Sequence, residues 1–259
     1  MKDINKKNKQ KIIKIGDAKF IIINLTEPLK ENTEVFPGDP KLKKKVFCSF
    51  AKGKCQHNIY LISDHIFHPH GDAPNHQNPQ YKNRGFEFWN LDFVFNKACL
   101  IDLSGSKDSI DIDGIMYLKK ITAGHILPYI DRIKKNTAVI IRTGYDKWLE
   151  LNKKHIPDNI PYLEEGAVNL ILKFKKLKVI GIDSLTVDKI GKNYAHKKLK
   201  DKLIVESLVN LYSIPQENID SFYLQTSPIA IVGATGGPIL SYAYIPLADM
   251  KLRNDENMD

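Results

Sequence analysis

Short, continuous apolar runs punctuate the chain at Phe20–Leu25, Ala98–Leu103, Ala138–Arg142, Val179–Ile182 and Ile229–Val232. Their length and β-branched content predict buried strands. Between them the period lengthens. Thr122 can cap a helix whose apolar face runs through Ile126, Ile130 and Ile133, and Glu164–Lys175 repeats that spacing at Ala167, Leu170, Ile171 and Phe174. Asp201–Leu211 fits a strand or a helix. Strands alternating with helical stretches predict an α/β fold with a mixed sheet.

The 259 residues suit one large domain and do not require two. Residues 1–19 are polar and lysine-rich and read as a flexible basic arm, residues 20–250 as the folded domain, and residues 251–259 as a polar tail. No Gly/Ser-rich or Pro-rich linker and no fixed-period repeat divides the domain.

Charge adds little to this picture. The formal balance is +9, but the basic side is almost all lysine, with arginine only at Arg84, Arg132, Arg142 and Arg253. Nucleic-acid surfaces favour arginine for bidentate contacts, so scattered lysine reads as a solvating surface and no nucleic-acid partner is expected. Cys48, Cys55 and Cys99 lack metal-type spacing and fit free thiols in a reducing compartment. The N-terminus lacks the apolar core of a signal peptide, and no run approaches about 18 apolar residues. A cytoplasmic protein without a membrane partner is the expectation.

The chemistry concentrates between residues 65 and 76, where His65, His68, His70, Asp72 and His76 fall within twelve positions. Imidazole and carboxylate at this density point to metal binding or acid–base work. On an extended strand His68, His70 and Asp72 would share a face, and Gly71 and Pro74 would let the chain turn so that His76 returns to the same centre. Such a donor set suits zinc or manganese and leaves positions open for water. A solvated histidine-rich loop is the bland alternative.

In these residues the chain resembles the cyclase family of metal-dependent hydrolases, which includes bacterial kynurenine formamidases and isatin hydrolases. The family signature is H-x-G-[TA]-H-x-D-x-P-x-H, and His70-Gly71-Asp72-Ala73-Pro74-Asn75-His76 fits its second half without a gap. Asn24-Leu25-Thr26 with Val35-Phe36-Pro37-Gly38-Asp39-Pro40 looks like the opening "DLT … PGDP". Arg142-Thr143-Gly144-Tyr145 looks like "RTG(W)", and Gly181-Ile182-Asp183-Ser184-Leu185-Thr186-Val187-Asp188 like "GIDTLSVD". Val205 to Leu211 looks like "VENLxNL", and Ile231 to Pro238 like a glycine-rich loop ending in "GSP".

The resemblance implies a single-domain cyclase-like fold (the swivelling β/β/α type) with a mixed sheet flanked by helices. It implies one or two divalent metals per subunit, zinc or manganese, held by His65, His70, Asp72, His196 and Glu206, with His76 as the general base. His196 could instead be a solvated residue of the lysine-rich stretch Lys192–Lys202. The first half of the signature departs from the family: His65-Ile66-Phe67-His68-Pro69-His70 has one residue more than H-x-G-T-H, and Phe67-His68-Pro69 replaces Gly-Thr. A one-residue bulge would bring His65 onto the ligand face, or His68 would replace it. Phe86, Trp89 and Arg142 are candidates for substrate binding, with core packing or a structural ion pair as their alternatives. The implied activity is hydrolysis of a formamide, of the kynurenine formamidase kind, or of a cyclic amide by metal-activated water, in a homodimer or homotetramer. The alternative reading is a catalytically weakened relative that serves as a binding or assembly module.

Overall fold

The computed structural model describes residues 9–247 apart from 32, 34, 36, 37, 54, 67, 152 and 155. Phe36 and Pro37 of the opening motif, Phe67, and the polar tail 251–259 lie outside the described residues. The strands are β1 (Gln10–Ile15), β2 (Ala18–Asn24), β3 (Lys43–Cys48), β4 (His57–Leu61), β5 (His70–Asp72), β6 (Phe95–Asp102), β7 (Ile110–Ile112) and β8 (Ile115–Tyr117). They continue with β9 (Lys120–Ile121), β10 (Ala138–Arg142), β11 (Tyr162–Leu163), β12 (Val179–Ile182), β13 (Leu203–Glu206), β14 (Phe222–Pro228) and β15 (Gly236–Leu247). Short helices lie between them: α1 (Leu91–Val94), α2 (Ala123–Ile126), α3 (Ile130–Lys134), α4 (Asp146–Glu150), α5 (Glu165–Ile171) and α6 (Tyr194–Lys198).

Nine strands form one mixed sheet in the order β1-β2-β15-β14-β6-β10-β12-β13-β5, and β5 pairs back onto β15. That last pairing closes the seven strands from β15 round to β5 into a barrel. Strands β6, β10, β12 and β13 run parallel. Both faces of these strands are covered, which is why their sequences read as unbroken apolar runs. Side chains alternate between the two coverings. Cys99, Ile101, Val139, Ile141, Ile180 and Ile182 meet Ile126, Ile133, Ala167, Val168 and Ile171 of the flanking helices. Ala98, Leu100, Ala138, Ile140 and Val179 turn inward to Ile23, Leu224, Ile239 and Ala243.

The expected helix after Thr122 is present in two pieces. Its capping box is made by Thr122 and His125, and a 3-10 turn at Leu127–Tyr129, which contains Pro128, separates α2 from α3. The ambiguous 201–211 stretch resolves as strand β13 followed by Ser207 and Asn210, both with positive φ. Two expectations are corrected. Gln10–Ile15 is a strand paired in antiparallel register with β2, so the basic arm is not loose up to residue 19. Ile229–Val232 is not a strand but part of the connection between β14 and β15, with Val232 85% exposed. An apolar tetrapeptide carries no information about which neighbours are free to pair with it, and here β14 and β15 pair with each other on either side of it. Among the described residues, no helix is long and apolar enough to cross a membrane.

Candidate metal centre

The closing strand β5 is only three residues long, yet it sets the site. It is antiparallel to β13 with His70 opposite Glu206, and antiparallel to β15 with Asp72 opposite Gly236. His70 and Asp72 share one face, two residues apart, and the cross-strand register adds Glu206 to that face. Gly71 points the other way, into the barrel, where an added Cβ would lie 3.0 Å from Leu203 Cδ1 and 3.2 Å from Phe86 Cε2. Gly236 matters for the same steric reason: a Cβ there would come 2.6 Å from His65 Cε1, so only glycine lets the His65 ring settle against the strand.

Five donor groups converge. His65 Nδ1 lies 3.1 Å from Asp72 Oδ1, and His70 Nε2 lies 3.8 Å from Asp72 Oδ1 and 3.4 Å from Glu206 Oε2. His196, from α6, places Nε2 at 2.9 Å from Asp72 Oδ2 and 3.5 Å from Glu206 Oε1. Ligands around a tetrahedral ion with bonds of about 2.0–2.1 Å are about 3.3 Å apart, so these separations match the edges of a coordination polyhedron. His76 closes one side, its ring 3.8 Å from that of His65 and 5.4 Å from that of His196 between centroids. Two overlapping donor triads result, His65–Asp72–His76 and His70–Asp72–Glu206, with Asp72 common to both.

The outer nitrogens of the three histidine candidates are already occupied. Thr235 Oγ1 donates to Asp64 Oδ2 at 3.0 Å, so toward His65 Nε2, also 3.0 Å away, it acts as the acceptor. That assigns the His65 proton to Nε2 and leaves a lone pair on Nδ1. His70 Nδ1 donates to the His68 carbonyl at 3.0 Å, and His196 Nδ1 donates to Asp188 Oδ2 at 2.6 Å. Each inner nitrogen therefore faces the carboxylates, the arrangement by which outer hydrogen bonds orient metal ligands. Asp72 Oδ1 is buried without a hydrogen-bond partner. The inner nitrogens of His65 and His70 and the carboxylate oxygens packed this closely call for a cation, a role the His196 proton fills in part, and the donor set fits a divalent metal.

Titration follows the same crowding. Burial and the negative charge of Asp72 push Glu206 up to about 7. Burial opposes ionisation of Asp72 too, but His196 outweighs it and holds Asp72 well below the usual carboxylate range. Burial likewise disfavours charge on His196, and Asp72 and Asp188 overcome it, raising the ring well above the ordinary histidine value. Burial pushes His70 and His76 down to about 4.

The centre opens onto a cavity of about 310 Å³ whose outer wall includes Asp39, Gln77, Ile190 and Lys192. The structure brings together His65, His70, Asp72, His76, His196 and Glu206, and it does not bring His68, Phe86, Trp89 or Arg142 to the cavity. His68 is buried on the opposite side, hydrogen-bonded through Nε2 to the Glu27 carbonyl. It lies before β5 begins, so the strand alternation that would align it with His70 does not apply there. Phe86 is fully buried against Gly71 and Gly237. Trp89 is buried and donates Nε1 to the Asp72 carbonyl at 2.8 Å, steadying the strand from outside the main cavity. Arg142 forms an ion pair with Asp102 at 2.9 Å and lies 3.5 Å from Asp146. Asp64, Asp188 and Thr235 are the residues sequence reasoning left without a role. Asp188, eight residues before His196, was within reach as a carboxylate partner for that ring, whereas Thr235 meets His65 only through the closure of β15 onto β5.

Comparison with known proteins identifies the family. The model of the Cyclase family, described as "Putative cyclase", matches residues 23–189. The chain belongs to the Cyclase family. No curated protein matches it in sequence. Among solved structures, this cyclase-family chain is similar to isatin hydrolase A from Labrenzia aggregata bound to benzyl benzoate, with a TM-score of 0.70 at 18% identity over 87% of this chain and 94% of that one. It is similar to an isatin hydrolase bound to the product analogue thioisatinate, with a TM-score of 0.70 at 21% identity over 87% and 92% of the two chains. A potential metal-dependent hydrolase with cyclase activity is also similar, with a TM-score of 0.67 at 19% identity over 88% and 98%. At these identities the likeness establishes the shared fold.

Proposed function

We propose that this protein is a metal-dependent hydrolase of amide or cyclic amide bonds. The observation that carries the reading is the set of three histidines whose outer nitrogens are pinned by Thr235, the His68 carbonyl and Asp188. Their inner nitrogens face Asp72 and Glu206 beside a small cavity. His65, His70, Asp72, His196 and Glu206 would hold one or two ions, zinc or manganese. Two carboxylates with neutral imidazoles balance the charge of one divalent cation. A divalent metal in such a site lowers the pKa of water toward about 7 and polarises a carbonyl oxygen. His76, beside His65 at the cavity wall and accepting from the Gln77 amide at 3.1 Å, is placed to carry a proton between water and the leaving nitrogen. Family kinship to formamidases and isatin hydrolases, together with a cavity sized for a small molecule, supports N-formylkynurenine or a cyclic amide as substrate. Incubating metal-loaded protein with N-formylkynurenine and assaying formate tests the formamidase branch. Formate release abolished by a chelator is expected, and none with the loaded enzyme would remove that substrate.

A homo-oligomer is part of the same reading. Ile59, Tyr60 and Leu61 on β4 are 47, 52 and 57% exposed on a hairpin that, among the described residues, pairs with no other strand. Apolar surface of this kind is usually covered by a partner, here a second copy of the chain. Light scattering is expected to report a mass of twice or four times 29.6 kDa, and a monomer would overturn it.

A further inference from the structure

The β3–β4 hairpin carries chemistry that the hydrolase reading does not use. Cys48 ends β3 opposite His57, after a register shift between Val46 and Cys48. A 3-10 turn at Phe50–Lys52 and Gly53, with φ +66°, reverse the chain, and Cys55 returns beside its start. The two sulfurs lie 3.4 Å apart, with Cys48 half-buried and Cys55 exposed. At this distance the two thiols share an S–H···S hydrogen bond on the surface hairpin, and a disulfide needs about 2.05 Å, a closure within reach of a side-chain rotation. Cys99 is different. It is buried in the sheet, and burial pushes its thiol up to about 12, so it stays inert.

We propose that Cys48 and Cys55 are a reversible dithiol–disulfide site, oxidised by thiol–disulfide exchange with a small disulfide of the glutathione type. The Cys55 thiolate, the more accessible of the two, attacks one sulfur of oxidised glutathione. The sulfur–sulfur bond breaks, and one glutathione leaves as the thiolate and takes up the proton. The Cys48 thiolate then attacks the Cys55 sulfur of the mixed disulfide and expels the second glutathione in the same way. Two protein thiols are oxidised and one glutathione disulfide is reduced to two thiols, so atoms and electrons balance. The bond would staple the tip of the hairpin that exposes Phe47 and Phe50, 67 and 75% accessible. The metal centre lies further along the chain, beyond the end of β4.

The test is equilibration of the full-length protein with oxidised glutathione, followed by acid quench, thiol titration in denaturant and intact mass. The expected result is a fall from three titratable thiols to one, with a mass loss of about 2 Da and full recovery on reduction. Cys48→Ser is expected to retain a glutathione adduct on Cys55 that the wild type resolves. Three thiols persisting after oxidation would overturn the proposal. So would a wild-type adduct on Cys55 as long-lived as that of the serine variant, because it would show that Cys48 does not reach the Cys55 sulfur.

Discussion

Asp72 and Asp183 are both sealed carboxylates near strand ends, 4% and 0% exposed, yet their surroundings are opposite. Asp183 follows β12 and receives hydrogen bonds from the Thr143 and Gly144 amides at 2.9 Å, the Thr143 hydroxyl at 2.8 Å and the Asp146 amide at 3.2 Å. Its donors come from the end of β10, so the "RTG" and "GID" motifs lock to each other and tie two parallel strands together. Asp72 has imidazole nitrogens and a second carboxylate around it, and one of its oxygens has no hydrogen-bond donor at all. Burial therefore does not separate a structural acid from a functional one. What separates them is the kind of neighbour: backbone amides and a hydroxyl fixed around Asp183, against ionisable imidazoles and a second carboxylate around Asp72, a set that can give up its protons to a cation.

The comparison can be broken most decisively at Asp72. Asp72→Asn is expected to abolish stoichiometric zinc or manganese binding by elemental analysis, while Asp183→Asn keeps it; equal metal content in both variants would erase the distinction. His65→Ala should follow Asp72→Asn in losing metal, and His68→Ala should retain it, because His68 spends its ring on the Glu27 carbonyl; isothermal titration with zinc decides between them. Asp188→Asn, which weakens the hold on the His196 ring and on the Ala195 and His196 amides at the start of α6, is expected to lower metal affinity about 10–100-fold. Asp183→Asn is expected to cost about 1–3 kcal/mol in denaturant unfolding, the usual penalty for disrupting a buried acceptor with several donors.

The last effect is a pH dependence. Burial and the neighbouring Asp146 push Asp183 up to about 7. In the unfolded chain the same group titrates near 3.9, so between about pH 4 and 7 the folded state holds a proton the unfolded state has lost. Stability should fall as pH rises through that window and level off above it. Asp183→Asn is expected to remove this component, seen as a flatter dependence of unfolding free energy on pH in the variant than in the wild type from about pH 4 to 7. An unchanged slope would show that the four donors keep Asp183 ionised throughout.

Much of this protein is determined by sequence alone. The parallel strands β10 and β12 coincide with the apolar runs that predict them, because strands buried on both faces need continuous hydrophobic residues. The spacing His70-x-Asp72 puts two donors on one face by strand alternation, Glu206 is assigned by its place in a motif, and His196 is the candidate that precedes it, with a solvated residue as its alternative. The rest depends on contacts that no local pattern encodes. Whether His65 or His68 faces the centre depends on Gly236 and Thr235, more than 160 positions away, which meet His65 only when β15 pairs with β5. Phe86, Trp89 and Arg142 carry the residue types of a binding pocket, and tertiary packing spends them on the core, on the Asp72 carbonyl and on Asp102. The physical reason is common to all of them. A side chain's type limits the partners it can satisfy, and only the closed barrel decides which of those partners is within reach.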